Sequence, residues 1–478
     1  MRLLRVTPLI VVALVVAAFV LADRQDAPTT PAFSETFISG TPVVPGGDVI
    51  TTSWFCGGTS AAGDSGSGAY SGEIVLSNPT DVPATGTVTA LTADAAPVRT
   101  DVVVEARSQS TVDVRSLVDA SYAATVVEVD SSLVAVEQRS IHPAGTAVAP
   151  CANSTSDRWY FPDGFTFDGS DFRIILTNPY LSAAIVDVSV ATEDGPRTPS
   201  NLQGYVIPAQ SIRVINIADA GFRDEKVLAV SIEAETGRFV AAKDQHYLGG
   251  GRLGHVTALG APAPSAQWWF ADGEKGAGIS ERYSILNPTD VEAQASVLVL
   301  GLGQVDAAIE PLTLSVPPHE VVTLDSSSIA GMPDGLHGFL ISSETGTDIV
   351  VERVITRPAA DYVATTAVIG VMGGYTSTRW RVPTSTSIAI EDVLIVMNAT
   401  GEAATFTVSS VGPGGEEPVS GLENIELPPN SIVSVDLVDP LAFGRPLVVE
   451  GTREMVVERR LERTPTLRGR SGSLAIPE

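Results

Sequence analysis

Glutamate and arginine recur together in one late segment of this 478-residue chain, and two carboxylates held close together can act as general acid and base in glycoside hydrolysis. The segments are LVAVEQRS (133–140), IVVERVIT (349–356) and MVVERRLE (455–462). The residues concerned are Glu137, Arg139, Glu352, Arg353, Glu458 and Arg459. These glutamates stand one per repeat, far apart in the sequence, and the corresponding FVAAKDQH (239–246) carries Lys243 there instead. Because Glu352 shares a strand face with valines, its carboxylate needs a partner, and we predict structural ion pairs at these positions.

A second candidate is Ser65, in the Gly-Asp-Ser-Gly-Ser-Gly loop at 63–68, which resembles the nucleophile loop of trypsin-like proteases. That class of protease needs a histidine upstream of the serine. All five histidines of this chain (142, 246, 255, 319 and 337) lie downstream of Ser65. We therefore interpret 63–68 as a glycine-serine loop and predict a non-enzymatic protein with no catalytic residue and no cofactor.

A third candidate is the aspartate-rich loop PDGFTFDGSD at 162–171. Asp163, Asp168 and Asp171 offer the oxygen ligands that calcium prefers. The loop lacks the spacing and distal glutamate of a helix-loop-helix calcium site, and only Asp272 and Glu274 stand at the same place further on. Turn chemistry explains the loop, while calcium binding stays open as the alternative.

These residues recur because the chain is a repeat. Trp54, Trp159, Trp268 and Trp380 open similar segments at intervals of 105, 109 and 112 residues. Each tryptophan is followed by an asparagine phrase, namely LSNPTDV (76–82), LTNPYLS (176–182), ILNPTDV (285–291) or VMNATGE (396–402). Asparagine tolerates turn geometry and proline cannot extend a strand ladder, so the phrase predicts the hairpin that ends a strand.

Each repeat holds seven or eight short alternating segments separated by turn residues. This pattern is typical of antiparallel β-sandwiches. We predict an all-β protein of four tandem immunoglobulin-like β-sandwich domains that follow one N-terminal hydrophobic helix. The predicted boundaries are 51–152, 155–262, 265–373 and 377–478.

Trp269 differs from the four repeating tryptophans. It directly follows Trp268, so strand alternation turns the two rings to opposite faces of a sheet. If Trp268 lies in the core, Trp269 is the more exposed ring and a candidate platform for a ligand. We predict candidate ligand contacts at Trp269, Asp272 and Asp163.

The only two cysteines, Cys56 and Cys151, stand near the start and the end of the first repeat. An even number of cysteines outside the cytoplasm favours a disulfide. The bond would close a loop of roughly 95 residues, which contributes ~4–5 kcal/mol in the chain-entropy treatment. Free thiols are the alternative.

The N-terminus predicts export. Residues 1–5 form a basic n-region, 6–22 an apolar run, and 23–50 a tether rich in proline and threonine. The run is either a signal-anchor, which gives a single-pass membrane protein with the N-terminus inside, or a signal peptide cleaved after Ala22. The net charge of −27 argues against nucleic acid or anionic lipid surfaces as partners, and no nucleotide-binding pattern is present.

The longest of these patterns, WWFADGEKGAGISERYSILNPTDVEAQASVLVL followed by VPPHEVVTLD and IVVERVI, closely resembles a repeat of many secreted bacterial proteins. The whole chain resembles an actinobacterial family of exported or membrane-anchored proteins of unknown function. The first and fourth repeats depart from the pattern, since WFCGG and WRVPTS lack its Asp-Gly. The resemblance implies a cell-envelope location and β-domains, and it implies no activity.

The sequence thus favours a non-enzymatic cell-envelope protein that acts as a spacer or scaffold for envelope assembly. Its partners would be the membrane, through the N-terminal segment, and an envelope glycan or another envelope protein. A binding module for cell-wall polysaccharide is the alternative. An accessory of a cell-wall hydrolase or transferase is a weaker one.

Overall fold

The computed structural model describes residues 40–45, 50–61, 71–302, 309–343, 346–359, 361–384, 391–462 and 469–478. The N-terminal hydrophobic run, the serine loop at 63–68 and most of the tether lie outside these residues. The chain divides into Met1–Ile38 and Ser39–Glu478, and the description below concerns the second unit. No helix in the described ranges combines the length and apolarity needed to cross a bilayer.

Antiparallel strands dominate the described chain, as the alternating segments predict. The first repeat forms one sheet in the order β1-β6-β3-β4 and a second in the order β5-β2-β7-β8. The strands are β1 (Thr52–Ala61), β2 (Ser71–Asn78), β3 (Ala84–Leu91), β4 (Val98–Val104), β5 (Ser108–Asp113), β6 (Ala120–Val129), β7 (Ala135–His142) and β8 (Gly145–Pro150).

The second repeat again forms two sheets, β12-β11-β15-β9 with β13 beside β11, and β14-β10-β16-β17. The strands are β9 (Arg158–Gly164), β10 (Asp171–Asn178), β11 (Ala184–Thr192), β12 (Gly195–Arg197), β13 (Tyr205–Ile207), β14 (Ser211–Asn216), β15 (Leu228–Thr236), β16 (Val240–Tyr247) and β17 (Gly254–Leu259).

The third repeat follows the same plan, with sheets β21-β20-β23-β18-β26 and β22-β19-β24-β25. The strands are β18 (Gln267–Lys275), β19 (Ser280–Leu286), β20 (Ala293–Leu300), β21 (Leu312–Val316), β22 (Val321–Asp325), β23 (Gly335–Ser343), β24 (Val350–Pro358), β25 (Val363–Ile369) and β26 (Val371–Met372).

In the fourth repeat all strands belong to one nine-stranded sheet, because a single 16-residue strand, β33, pairs with both halves. In the earlier repeats two successive strands take these places. The strands are β27 (Ser377–Val382), β28 (Glu391–Asn398), β29 (Ala404–Gly412), β30 (Gly415–Pro418), β31 (Ile425–Leu427), β32 (Ile432–Asp436), β33 (Leu447–Glu462), β34 (Ser471–Leu474) and β35 (Ile476–Pro477).

Helical structure in the described ranges is limited to short 3-10 turns. They are Val114–Ser116, Phe167–Gly169, Ser200–Leu202, Ser326–Ser328 and Pro440–Ala442. Asp113, Asp325 and Asp439 cap three of them by accepting a backbone N–H. The sequence predicts one short helical turn in each repeat, near 116–122, 216–222, 325–331 and 436–443. A 3-10 turn lies at or beside three of these places, whereas 217–221 forms a hydrogen-bonded turn without a 3-10 helix.

The cores follow from strand alternation. Along β11, Val186, Val188 and Val190 share one face of the strand and are buried, while the residues between them are half-exposed. The four repeating tryptophans lie within the cores, each with at most 1% of its surface exposed. Burying such large rings is a major apolar contribution to stability.

The asparagine of each hairpin phrase is fully buried. In the fourth repeat the Asn398 amide donates to the carbonyls of Glu402, Leu427 and Pro428, and its Oδ1 accepts from the Thr400 N–H. Asn78, Asn178 and Asn287 make the corresponding bonds. The asparagine therefore ties its own turn to a chain segment about 29 residues later, which a simple turn residue would not do.

The disulfide between Cys56 and Cys151 is present, with a Cα–Cα distance of 4.5 Å. It joins β1 to the residue directly after β8. The neighbouring backbone closes the same contact, since Phe55 and Ala152 exchange both of their N–H···O bonds.

The final strands of the four repeats pack in a closed circle. β8 lies against β17, β17 against β25, β25 against β34, and β34 against β8. A small, mainly apolar cavity of about 100 Å³ lies where these strands meet. The fourth repeat therefore contacts the first. We call each contact region between two neighbouring repeats, including that between the fourth and the first, a seam; buried side chains of the two repeats meet there.

Candidate functional site

The late-strand charges lie in these seams. Strand register places Lys243 opposite Ile174 and Arg353 opposite Tyr283, each four residues before the buried asparagine. Arg459 and Gln138 occupy the same place in their repeats. Lys243 therefore corresponds to the arginines, and Ala242 corresponds to the glutamates. This corrects by one residue the sequence alignment, which had set Lys243 in the glutamate position.

The second and third repeats are joined by a fully buried ion pair. Lys243 Nζ lies 2.5 Å from Glu352 Oε1, and neither side chain is exposed. Glu352 Oε2 accepts from the Asp163 N–H, while Lys243 also donates to the Asp163 carbonyl. Burial raises the pKa of Glu352, an effect that Lys243 opposes. The ion-pair partner that the sequence predicts for Glu352 is thus Lys243, from the preceding repeat.

Asp163, from the aspartate-rich loop, belongs to the same seam. Its carboxylate accepts from Arg282 at 2.7 Å and from Ser284 at 3.0 Å, and Arg252 lies 3.6 Å away. Burial acts to raise its pKa, but the arginines outweigh burial and the pKa is lowered. Asp163 is 1% exposed, so it faces these partners rather than solvent.

The other two aspartates of the loop have separate partners. Asp168 Oδ2 accepts from the Gly250 N–H, and Asp171 pairs with Arg173 at 2.7 Å. Within the described chain, no group of three or more histidine, cysteine, aspartate or glutamate side chains is arranged to hold a metal ion. The three carboxylates of 162–171 thus point to three different places.

The seam between the third and fourth repeats also contains a buried ion pair. Arg353 Nη2 lies 2.7 Å from Glu458 Oε2, and Glu458 Oε1 accepts from the Ala271 N–H. Asp272 is 1% exposed and pairs with Arg357 and Arg460 at 2.8 and 3.1 Å. Asp272 is thus bound in a seam, as Asp163 is.

The fourth and first repeats meet by a related contact. Arg459 binds Asp392 of its own repeat through two bonds. Burial acts to lower the pKa of Arg459, but Asp392, with a smaller contribution from Glu137, outweighs burial and the pKa is raised. Arg139 lies 2.8 Å from Glu137 and donates to the Thr384 carbonyl of the fourth repeat. In two of these three seams a cation of the earlier repeat therefore binds a glutamate of the later one, whereas at the third, Arg459 binds Asp392 of its own repeat.

The seam between the first and second repeats lacks this pair, because Gln138 and Ala242 stand at the two positions. Gln138 instead bonds both backbone groups of Gly58. Apolar packing of Leu91, Ala124, Ile175 and Ile212 fills the outer part of this seam.

Three of the five histidines also meet at the first seam, which sequence spacing gave no means to foresee. The ring of His142 stacks on that of His255 with centroids 4.4 Å apart, and lies edge-on to His246 at 4.5 Å. His255 Nε2 is 3.0 Å from Asp244 Oδ1. Burial, followed by the charges of the other two imidazoles, lowers the pKa of His142 to about 3. Burial also lowers the pKa of His246.

Trp268 and Trp269 lie on opposite faces of β18, as strand alternation predicts. Trp268 is fully buried and donates to the Ile349 carbonyl, whereas Trp269 is half-buried on the outer face. Register aligns Trp269 with Leu340 and Leu298 across three neighbouring strands. Of the three candidate ligand contacts, Trp269 alone lies outside a closed seam.

Comparison with known proteins adds a family without an assigned function. Residues 142–264, which span the second repeat, match a family described as "Family of unknown function (DUF5719)". No curated protein matches.

Several solved structures show distant likeness. "Crystal Structure of Thermotoga maritima 1070" is 15% identical, covers 23% of this chain and 97% of its own, and has a TM-score of 0.20. "Biofilm associated protein - BSP domain" is 9% identical over 85% of this chain and 90% of its own, with a TM-score of 0.14.

A third, "Crystal structure of tetra-tandem repeat in extending region of large adhesion protein", is 12% identical over 83% and 93%, with a TM-score of 0.11. These scores carry no argument about fold or function. What the comparisons establish is that residues 142–264 resemble an uncharacterised domain family.

Proposed function

We propose that this chain is a non-enzymatic cell-envelope protein that serves as a rigid scaffold for envelope assembly or interaction. Its four repeats act as four immunoglobulin-like β-sandwich domains, 51–152, 155–262, 265–373 and 377–478. The N-terminal segment holds them at the outer face of the membrane, or releases them after cleavage following Ala22.

The closed circle of final strands is the observation that carries this proposal. Domains that share only small polar contacts move independently. Here the seams bury whole ion pairs such as Lys243–Glu352 and apolar groups such as Ile175 and Ile212. Separating two repeats would expose both kinds of group. A scaffold that holds partners in a fixed arrangement needs such rigidity, whereas an extended spacer does not.

The disulfide supports the extracytoplasmic location, because such bonds persist mainly in oxidising compartments. The two native cysteines are bonded to each other, so a Val438→Cys variant carries one reactive thiol. Val438 is 78% exposed. A membrane-impermeant maleimide added to intact cells should label this variant. Labelling only after lysis would contradict the location.

Scaffolding is tested by cross-linking in intact cells, using the tagged full-length chain. We expect specific envelope components to co-purify with the wild type and to be lost from a Glu352→Gln variant, in which a seam is weakened. Equal recovery of the same components with both proteins would argue against a role for the rigid closed circle of repeats. Turnover of envelope polymer by the purified chain would contradict the non-enzymatic assignment.

A second candidate function is binding of cell-wall polysaccharide, favoured by the half-buried Trp269 in line with Leu340 and Leu298. Aromatic and apolar side chains exposed on a sheet face form platforms for sugar rings. Trp269→Ala should reduce retention on envelope glycan. Unchanged retention would remove Trp269 as a contact.

A further inference from the structure

The outer face of the second repeat differs from its counterparts in the other repeats. Register aligns one residue from each of three neighbouring strands at this place, next to the core tryptophan. In the second repeat these residues are Tyr160, Ser231 and Ser189, and each carries a hydroxyl. The counterparts are Phe55, Val126 and Thr89 in the first repeat, Trp269, Leu340 and Leu298 in the third, and Arg381, Val448 and Ser409 in the fourth.

This hydroxyl row forms part of an open groove between the second and third repeats. The groove has a volume of about 700 Å³, within the range of roughly 300–1,000 Å³ that is usual for ligand sites. Leu286, Pro288 and His319 of the third repeat form its other wall, at the hairpin phrase. At the preceding seam the same region is closed by Leu91, Ala124, Ile175 and Ile212.

Of the five charged or imidazole side chains that line the groove, Glu235 is exposed to solvent and the other four, including Arg197 with Asp194, have protein partners. Asp187 accepts from the Gly204 N–H at 2.7 Å, Glu233 pairs with Arg158 at 2.6 Å, and His319 lies 2.7 Å from Asp290. Within the described chain, the Ser189 and Ser231 hydroxyls make no side-chain hydrogen bond. Tyr160 is 7% exposed; burial raises its pKa, and its hydroxyl oxygen accepts a hydrogen bond from the Arg158 side chain.

We propose that this groove binds a neutral polysaccharide chain. The free Ser189 and Ser231 hydroxyls offer donors and acceptors without charge, and the largely buried Tyr160 contributes the edge of its ring to the groove wall. Hydroxyls suit sugar hydroxyls, and an aromatic edge suits the C–H faces of sugar rings. The net charge of −27 disfavours anionic polymers. The inference deepens the polysaccharide-binding function proposed above, but it places the contact in the second repeat, apart from Trp269.

The test uses the full chain in affinity electrophoresis and calorimetry with soluble mannan, arabinogalactan and β-glucan as neutral probes and alginate as an anionic one. Tyr160→Phe and Ser231→Val each introduce the residue that the first repeat carries at the same place, so the fold accommodates both. Ser409→Val is the control, because Ser409 holds in the fourth repeat the register position that Ser189 holds in the second, but it does not line the groove.

We expect the wild type to bind at least one neutral probe and the double variant Tyr160→Phe/Ser231→Val to bind it at least tenfold more weakly. Ser409→Val should keep wild-type affinity, and all variants should melt as the wild type does. If only Trp269→Ala lost binding, the groove proposal would be overturned and the polysaccharide function would stand. Preference for alginate would overturn the ligand class. Binding to none of the four probes would overturn both the groove proposal and the polysaccharide-binding function.

Discussion

The buried Lys243–Glu352 pair gives the sharpest test of the seams. The two side chains come from different repeats, lie 2.5 Å apart and are fully buried. Glu352→Gln keeps the shape of the side chain and removes its negative charge. Lys243 then remains as a buried ammonium, with the Asp163 carboxylate as the other nearby anion.

Removing one partner of a buried ion pair costs about 3–5 kcal/mol, because an uncompensated charge stays in the interior. Asp163 also lies in this seam and offsets part of the loss, so we expect about 3 kcal/mol for Glu352→Gln. Replacing both partners by apolar residues removes the charges together and is often close to neutral. Lys243→Met/Glu352→Met should therefore cost less than Glu352→Gln alone.

The assay is urea unfolding of the full chain followed by circular dichroism and tryptophan fluorescence. Lys243→Met, Glu352→Met and the variant with both substitutions form a double-mutant cycle. Glu233→Gln is the control, since Glu233 lies 2.6 Å from Arg158 but both side chains are more than half exposed. Exposed pairs contribute about 0–1 kcal/mol. If Glu352→Gln cost no more than Glu233→Gln, or if the double variant cost the sum of the single ones, the reasoning would fail.

Three further predictions concern other buried groups. The pKa of His142 in the folded protein, about 3, lies below its ordinary 6.5, so the unfolded chain binds the proton more readily and stability falls with pH from about 6.5 towards 3, by up to about 1.4 kcal/mol per unit. Acid titration of urea midpoints should show a flatter slope for His142→Gln, and an unchanged slope would refute this. Replacing Cys56 and Cys151 by serine should cost about 4–5 kcal/mol by the chain-entropy estimate, seen as a lower urea midpoint; a reductant should lower the wild-type midpoint and leave the variant's unaffected. Asn398→Ala leaves buried carbonyls without donors and should cost about 1–3 kcal/mol in thermal unfolding, whereas the exposed Asn201→Ala should stay within about 0.5 kcal/mol.

Local patterns predicted much of the fold. Alternating apolar residues gave antiparallel strands, the Asn-Pro phrase gave a hairpin, and alternation separated Trp268 from Trp269. The disulfide between Cys56 and Cys151 is confirmed. Each of these features depends on neighbouring residues or on cysteine count, so the sequence alone carries the signal.

The seams could not be predicted in the same way. Glu352 finds Lys243, and Glu458 finds Arg353, about 105–109 residues away in the chain. Such partners depend on how whole repeats pack, and a strand's own alternation says only that a partner is needed. The one-residue error at Lys243 arose because charge type, rather than strand register, guided the alignment.

The aspartate loops show the same limit. Glycine and aspartate suggested an exposed turn that could bind a ligand, yet Asp163 and Asp272 are each 1% exposed. The arginines that neutralise them lie elsewhere in the chain, and Arg282 and Arg460 belong to the next repeat. The hydroxyl row of the second repeat became visible only when register aligned the repeats.

The central claim is that the four repeats close on themselves, and the radius of gyration in solution tests it most directly. Small-angle scattering of residues 39–478 should give about 22 Å, the value expected for one compact body of this length. Four separate domains of about 13 Å each, placed one domain diameter apart in a row, would give roughly 40 Å. A value near 22 Å supports the closed ring, and a value near 40 Å would contradict it.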